Sequence, residues 1–361
     1  VCLWVGGPVY VKPWDFFITT PVAEKERALV RVEAEITGGK TPRQLTALCR
    51  ILDREGICAG EVRQQVTAGE KTSAVFEMEL SNPSLWDLDS PYLYRCEILL
   101  MEDGIILDTA GDTFGIRKIE VDAARGFRLN GRQIKLKGGC VHHDNGFLGA
   151  CAYPKAERRK LEILKRVGYN TVRISHYPPS LTFLKLCDEM GMLLMDEAFD
   201  VWRMGKVPMD YHLYFEAWWE RDIEGMVRRD RNHPSVITYS IGNEITERDG
   251  SNDGAAWSAR LAGKVRSLDD TRFVVSALCG LNVIDEDPGS EGGGGNFEIN
   301  LNSSQELWGE KTADFCKPLD IVGYNYLKDI YESTHAQFPD RVMLGTETHA
   351  FNTFDYWAMV E

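Results

Sequence analysis

The feature that most constrains the fold is an alternation of short apolar runs with amphipathic stretches, beginning near residue 134 and continuing to residue 345. The apolar runs start near residues 134, 170, 192, 236, 273, 320 and 342, and they read as buried parallel strands. The stretches between them have helical spacing: Pro154 to Val167 carries Leu161, Leu164 and Val167 on one face, and Ser180 to Met190 and Ala255 to Leu268 follow suit. Tyr211 to Asp230 reads as a long helix stopped by Asn232-His233-Pro234. Such alternation implies a parallel sheet, either doubly wound or closed into a (β/α)8 TIM barrel. No Gly-x-Gly-x-x-Gly follows the first strand and there is no phosphate loop, which disfavours a nucleotide-binding sheet. The run Gly292 to Gly295 lies in a Ser/Asn/Gly stretch and reads as a flexible loop. Seven strands leave a barrel with two unpaired edges. Either the count is one strand short or the chain is truncated; the expectation favoured is a TIM barrel over residues 117–361 that is incomplete, its last strand missing.

Residues 15–116 read differently. Ala28 to Ile36, Leu45 to Leu52, Ser73 to Leu80 and Tyr92 to Leu100 alternate apolar and polar with period two. Gly38-Gly39, Ser81-Asn82-Pro83 and Asp103-Gly104 separate them as turns. Short strands at this spacing predict an immunoglobulin-like β-sandwich, a structural spacer with no cluster of reactive side chains. Residues 1–14 hold a Gly6-Gly7-Pro8 turn and a strand whose partners are not in the preceding sequence. They predict the tail of a further domain, so the chain is expected to be truncated at both ends.

Composition excludes some partners. The chain has 361 residues, 43% of them hydrophobic, and a formal net charge of -14. Nothing offsets that charge with a basic stripe, which argues against nucleic acid and anionic membranes. No apolar run approaches the roughly 20 residues of a membrane span. The nine cysteines are scattered without a Cys-x-x-Cys pair. They read as reduced, buried, small hydrophobes of a cytoplasmic protein.

The chemistry gathers where the predicted strands end. Ser235 to Ser240 is an apolar strand followed at once by Gly242-Asn243-Glu244, and Val342 to Gly345 is followed by Glu347. Polar residues end other strands: His142-His143-Asp144, Arg173 with Ser175-His176-Tyr177, Asp196-Glu197, and Asn325-Tyr326. Chemistry in α/β barrels sits at the C-terminal ends of the strands, so these side chains are expected to converge over the barrel centre. Any one of them, alone, reads more readily as a packing residue. Paired carboxylates are what cleavage of a glycosidic bond requires.

His143-Asp144, Asn170 to Arg173, Ser175-His176-Tyr177-Pro178, Asp196-Glu197-Ala198, Arg229-Asp-Arg-Asn-His-Pro-Ser235 and Ser240 to Glu244 together resemble glycoside hydrolase family 2, the β-galactosidase, β-glucuronidase and β-mannosidase family. Leu85-Trp86 and Ser90 to Tyr94 are similar to its immunoglobulin-like domain, and Gly6 to Tyr10 to the exit from its N-terminal jelly-roll sugar-binding domain. The resemblance implies a retaining exo-β-glycosidase acting on terminal β-D-galactosides. It implies Glu244 as acid/base and Glu347 as nucleophile, with Asn243 bonded to the sugar 2-hydroxyl. His143 and His176 would line the glycon pocket, Tyr326 would donate to the nucleophile, and Arg173 would keep it ionised. Trp202 is a candidate platform for sugar stacking, with a hydrophobic loop anchor as the alternative. Some relatives hold Mg²⁺ through a Glu and a His just after the Asp-Glu-Ala motif. Val201 and Arg203 stand there, so no metal and no other cofactor is expected. The alternatives are β-glucuronidase, β-mannosidase, or a non-catalytic carbohydrate-binding fragment. The family resemblance allows a homo-oligomer, and no surface signal favours a particular one.

Overall fold

A computed structural model describes residues 3–281 and 305–360. The Gly292 to Gly295 run lies outside the described residues. The first part is a β-sandwich. One sheet has three strands in the order β1 (Tyr10–Ala23), β2 (Arg27–Thr37), β5 (Thr72–Ser81). The other has four in the order β4 (Cys58–Ala68), β3 (Arg43–Leu52), β6 (Tyr94–Glu102), β7 (Ile105–Phe114). Inward residues of both sheets, among them Val30, Val32, Ile36, Phe76, Ile98 and Leu100, form one buried core. The expected boundary at residue 14 falls inside β1, and Val9 and Val11 are buried in this core. Residues 9–14 are thus built into the sandwich. Strand β4 was not anticipated because Glu61-Val-Arg-Gln-Gln65 lacks apolar alternation. It is an edge strand, where charge and polarity blunt pairing with other chains.

A hairpin-like sheet follows, β8 (Ile119–Asp122), β9 (Gly126–Leu129) and β10 (Arg132–Gln133). Then come seven parallel strands, paired in chain order: β11 (Gly138–Val141), β12 (Thr171–Ile174), β13 (Leu193–Glu197), β14 (Val236–Asn243), β15 (Phe273–Leu278), β16 (Ile321–Asn325) and β17 (Met343–Glu347). Helices α1 (Pro154–Arg166), α2 (Leu181–Met190), α3 (His212–Asp230), α4 (Gly254–Leu268), α5 (Gln305–Cys316), α6 (Tyr331–Gln337) and α7 (Thr353–Val360) complete the units. The curl nearly closes, since Cys140 Sγ on β11 lies 3.5 Å from the Thr346 carbonyl on β17. Among the described residues, the architecture is a sandwich joined to seven parallel strands that curl as in a TIM barrel.

The first barrel strand starts at Gly138 rather than near residue 134. Ile134 donates its N–H to the Phe127 carbonyl at 3.0 Å, and Ile134 and Leu136 pack beneath the barrel. There Trp86, Leu88, Phe127, Leu129, Leu193 and Ile237 make an apolar cluster linking sandwich, hairpin sheet and strand starts. Inside the barrel, Met195, Val275 and Ile321 form a small buried layer. Gly323 is required beside it, because a Cβ there would lie 2.8 Å from both the Ser276 carbonyl and Thr346.

The Arg-Asp-Arg-Asn-His-Pro-Ser run is a joint rather than a reactive motif. Asn232 Oδ1 accepts the Ile18 N–H at 2.9 Å, and Arg231 donates to the Trp14 carbonyl at 3.2 Å, so both hold β1. His233 Nδ1 and Ser235 Oγ bond Asp188 at 2.5 and 2.6 Å. Arg117 reaches back from the sandwich end to the Pro234 and Val236 carbonyls at 2.6 and 2.7 Å.

Candidate active site

Period-two alternation along each strand sends every second side chain into the barrel. On β12 this aims Arg173 inward, and on β13 it aims Glu197 inward while Asp196 faces helix α3. Arg173 and Glu197 are 4% and 0% exposed. Glu197 takes Arg173 Nε and Nη2 at 3.1 and 2.8 Å, Ser240 Oγ at 2.7 Å and His176 Nδ1 at 2.7 Å. Burial favours the neutral form of each, but the pairing outweighs it. Arg173 is driven up by Glu197, Cys140 and Glu347, and Glu197 is held below the usual carboxylate range by Arg173 and His176.

From this buried pair the network opens toward solvent. Arg173 Nη1 donates to Glu347 Oε2 at 3.2 Å, and Nη2 donates to Asn243 Oδ1 at 2.8 Å. Asn325 is fully buried, and its Nδ2 lies 3.1 Å from Glu244 Oε1, 3.1 Å from Glu347 Oε2 and 3.0 Å from Asn243 Oδ1. Thr346 Oγ1 donates to Asn325 Oδ1 at 2.7 Å, which fixes that amide. Two carboxylate oxygens on one nitrogen stand at most about 6 Å apart, near the roughly 5–5.5 Å of retaining glycosidase pairs. Tyr326 donates its hydroxyl to Glu347 Oε1, while burial, that bond and the Glu347 charge push the hydroxyl pKa up. Its ring stacks on His349, centroids 4.4 Å apart.

Glu244 and Tyr326 both have left-handed backbones, φ 47° and 60°. Such conformations are sparsely populated for residues other than glycine and cluster at functional sites. Each is pinned by a main-chain bond: Glu244 N–H to the Ala277 carbonyl at 2.7 Å, and Tyr326 N–H to the Glu347 carbonyl at 2.8 Å.

Six of the expected residues therefore meet at one end of the barrel: Glu244, Glu347, Asn243, Arg173, His176 and Tyr326. Two do not. His143 packs its ring against Tyr177 at 4.7 Å, and its Nε2 is buried without a hydrogen-bond partner. Its neighbour His142 approaches His176 instead, at 5.4 Å. Trp202 is fully buried, stacks on Phe315 at 5.2 Å and donates Nε1 to the Ile241 carbonyl at 2.8 Å. It is an anchor beneath the strand that carries Asn243 and Glu244, with no face for a sugar. Gly242 leaves room there, because a Cβ would sit 2.5 Å from Ile245 Cγ1 and 3.1 Å from Trp202 Nε1.

Glu197, Asn325, Ser240 and Asp200 carry much of the geometry. Glu197 and Asn325 are strand-end polar residues visible in the sequence. Ser240 and Asp200 gave no signal beyond lying next to such motifs. After the Asp-Glu-Ala motif, Val201 is buried and the Arg203 guanidinium is engaged by Glu216 at 2.5 Å, so neither fits a divalent cation. Among the described residues, no group of three or more His, Cys, Asp or Glu side chains is placed to hold a metal ion.

Family models match both parts of the chain: glycosyl hydrolases family 2 over residues 9–117, and the family 2 TIM barrel domain over residues 119–285. Beta-galactosidase BoGH2A from Bacteroides ovatus is 35% identical, covering 98% of this chain and 42% of that protein. The crystal structure of a glycosyl hydrolase family 2 member from Bacteroides cellulosilyticus superposes with a TM-score of 0.88 at 39% identity, covering 98% of this chain and 43% of that one. Bacteroides uniformis beta-glucuronidase superposes with a TM-score of 0.74 at 26% identity, covering 93% and 40%. The chain thus spans well under half the length of these relatives. With both of its parts matched, the chain belongs to glycosyl hydrolase family 2.

Proposed function

We propose that this protein is a retaining exo-β-glycosidase that hydrolyses terminal β-D-galactosides through a glycosyl-enzyme intermediate. The observation that carries the proposal is the single Asn325 amide nitrogen bonded to both Glu244 and Glu347, a spacing nearer the roughly 5–5.5 Å of retaining pairs than the roughly 6.5–9.5 Å of inverting ones. Glu347 takes three donors, Arg173, Asn325 and Tyr326, which fix its oxygens in place and suit the residue that must attack. Glu244 has only Asn325 of these and is the fitting general acid, then base. Attack by Glu347 on the anomeric carbon would break the glycosidic bond as Glu244 gives its proton to the leaving oxygen. Glu244 would then take a proton from the water that releases the sugar. The galactoside preference rests on the name of the Bacteroides ovatus relative, and the Bacteroides uniformis beta-glucuronidase keeps the glucuronide as the second reading. Turnover of a panel of p-nitrophenyl glycosides by the intact protein, with the product anomer followed by NMR, tests both points. Galactoside cleavage giving the β-anomer first supports the proposal. Cleavage of the glucuronide alone overturns the substrate, and the α-anomer overturns the mechanism.

A further inference from the structure

The amide of Asn243 is held at both ends, its oxygen by residues of β12 and β16 and its nitrogen by a residue just past β13. It is 3% exposed. Its Oδ1 accepts from Arg173 Nη2 at 2.8 Å and Asn325 Nδ2 at 3.0 Å, and Arg173 is itself seated on Glu197 of β13. Its Nδ2 donates to Asp200 Oδ1 at 2.8 Å, three residues beyond Glu197. The second Nδ2 hydrogen faces His176 Nε2 at 3.5 Å, too long for a firm bond. Lys206 braces the arrangement: its Nζ bonds Asp200 Oδ1 at 2.7 Å and the Asn243 carbonyl at 3.1 Å. Burial works to raise the Asp200 pKa, but Lys206 and Asn243 outweigh it and keep the group an anion. A flipped Asn243 amide would set its oxygen against that carboxylate and its hydrogens against two donors.

We propose that Asp200, backed by Lys206, is a positioning residue that fixes the orientation of the Asn243 amide, so that its second N–H is presented to the sugar hydroxyl beside the anomeric carbon. The proposal rests on the glycosidase function above and adds a determinant on which that hydroxyl contact depends. Asp200 touches no reacting atom. It acts by removing the alternative amide orientation, and a contact that strengthens in the transition state gains from being prearranged.

The test compares p-nitrophenyl β-galactoside with its 2-deoxy analogue, using the intact protein and the variants Asp200→Leu, Asp200→Asn, Lys206→Met, Asn243→Ala and the Asp200→Leu/Asn243→Ala pair. For the parent glycoside, Asp200→Leu should lower kcat/KM about 10–100-fold, the worth of a hydrogen bond to a charged group, with most of the loss in kcat. For the 2-deoxy substrate the loss should be about threefold or less. Asp200→Asn, which keeps an accepting oxygen, should restore most of the parent rate. The double variant should be no worse than Asn243→Ala alone. Lys206→Met should show the same substrate-dependent pattern more weakly, and it serves if Asp200→Leu does not fold. Equal losses on both substrates, or losses that multiply in the double variant, overturn the positioning role while leaving the glycosidase intact. A wild-type protein that cleaves neither substrate overturns the galactoside reading and this proposal with it.

Discussion

The two ends of the barrel are made from the same strands and could hardly differ more. At the strand starts, Leu193 and Ile237 sink into an apolar cluster with Trp86, Phe127 and Leu129, and burial alone organises the contact. At the strand ends, Glu197, Arg173, Asn243 and Asn325 are just as buried, yet each is held by directional bonds to named partners. One end is a plug whose worth is stability. The other is a prearranged field of charges and amides whose worth is chemistry, in keeping with the division of labour in barrels of this kind. Within β13 the contrast recurs over one peptide unit. Inward Glu197 has its carboxylate held by His176 and Ser240, whereas outward Asp196 is fully buried beside the like charge of Asp230.

Three substitutions would sharpen the contrast. The largest effect belongs to Glu347→Ala, which should lower kcat by about 10⁴-fold or more with the melting temperature held or raised, because function and stability part company at the polar end. Next, Leu129→Ala at the opposite end should cost about 3 kcal/mol of stability, seen as a lower denaturation midpoint. At temperatures where the protein stays folded, its kcat/KM should match wild type. If that substitution slowed catalysis as much as it loosened the fold, the two ends would not be separable.

The smallest effect concerns β13 and pH. Burial, then the charge of Asp230, pushes the Asp196 pKa well above 3.8, so the folded chain binds this proton more tightly than the unfolded one. Stability from Asp196 is full below the unfolded pKa and is lost as pH rises toward the folded value. Glu197 runs the other way. Its folded pKa is depressed, so its share is present above the unfolded value of about 4.3 and is lost as pH falls through the folded one. Asp196→Asn should therefore raise stability at pH 8 by about 1 kcal/mol and flatten the alkaline side of the melting-temperature profile, leaving the acid side as it was. A flattened acid side instead would contradict the assignment of the two carboxylates.

Much of this was legible from residue order because barrel physics is periodic. Apolar runs marked the strands, and their polar ends marked the candidate site, where Glu244 and Glu347 share the Asn325 amide. What was missed follows from lost period or long reach. Strand β4 has no apolar face to announce it. His142 rather than His143 approaches His176, a contact made in the loop past β11, where strand alternation no longer applies. Trp202 read equally well as platform or anchor, and only the packing of Phe315 and the Ile241 carbonyl against it decided. The partner of Asn232 lies 214 residues away in β1, beyond any local pattern.

The most direct test of the paired-carboxylate mechanism is to trap the intermediate. A 2-deoxy-2-fluoro-β-galactoside with a good leaving group slows the second step more than the first, and peptide mass spectrometry then locates the sugar. The geometry predicts one fluorosugar per protein, esterified to Glu347, with no label in Glu347→Ala. A label on Glu244 or elsewhere, or turnover with no covalent adduct and inverted product, would contradict it.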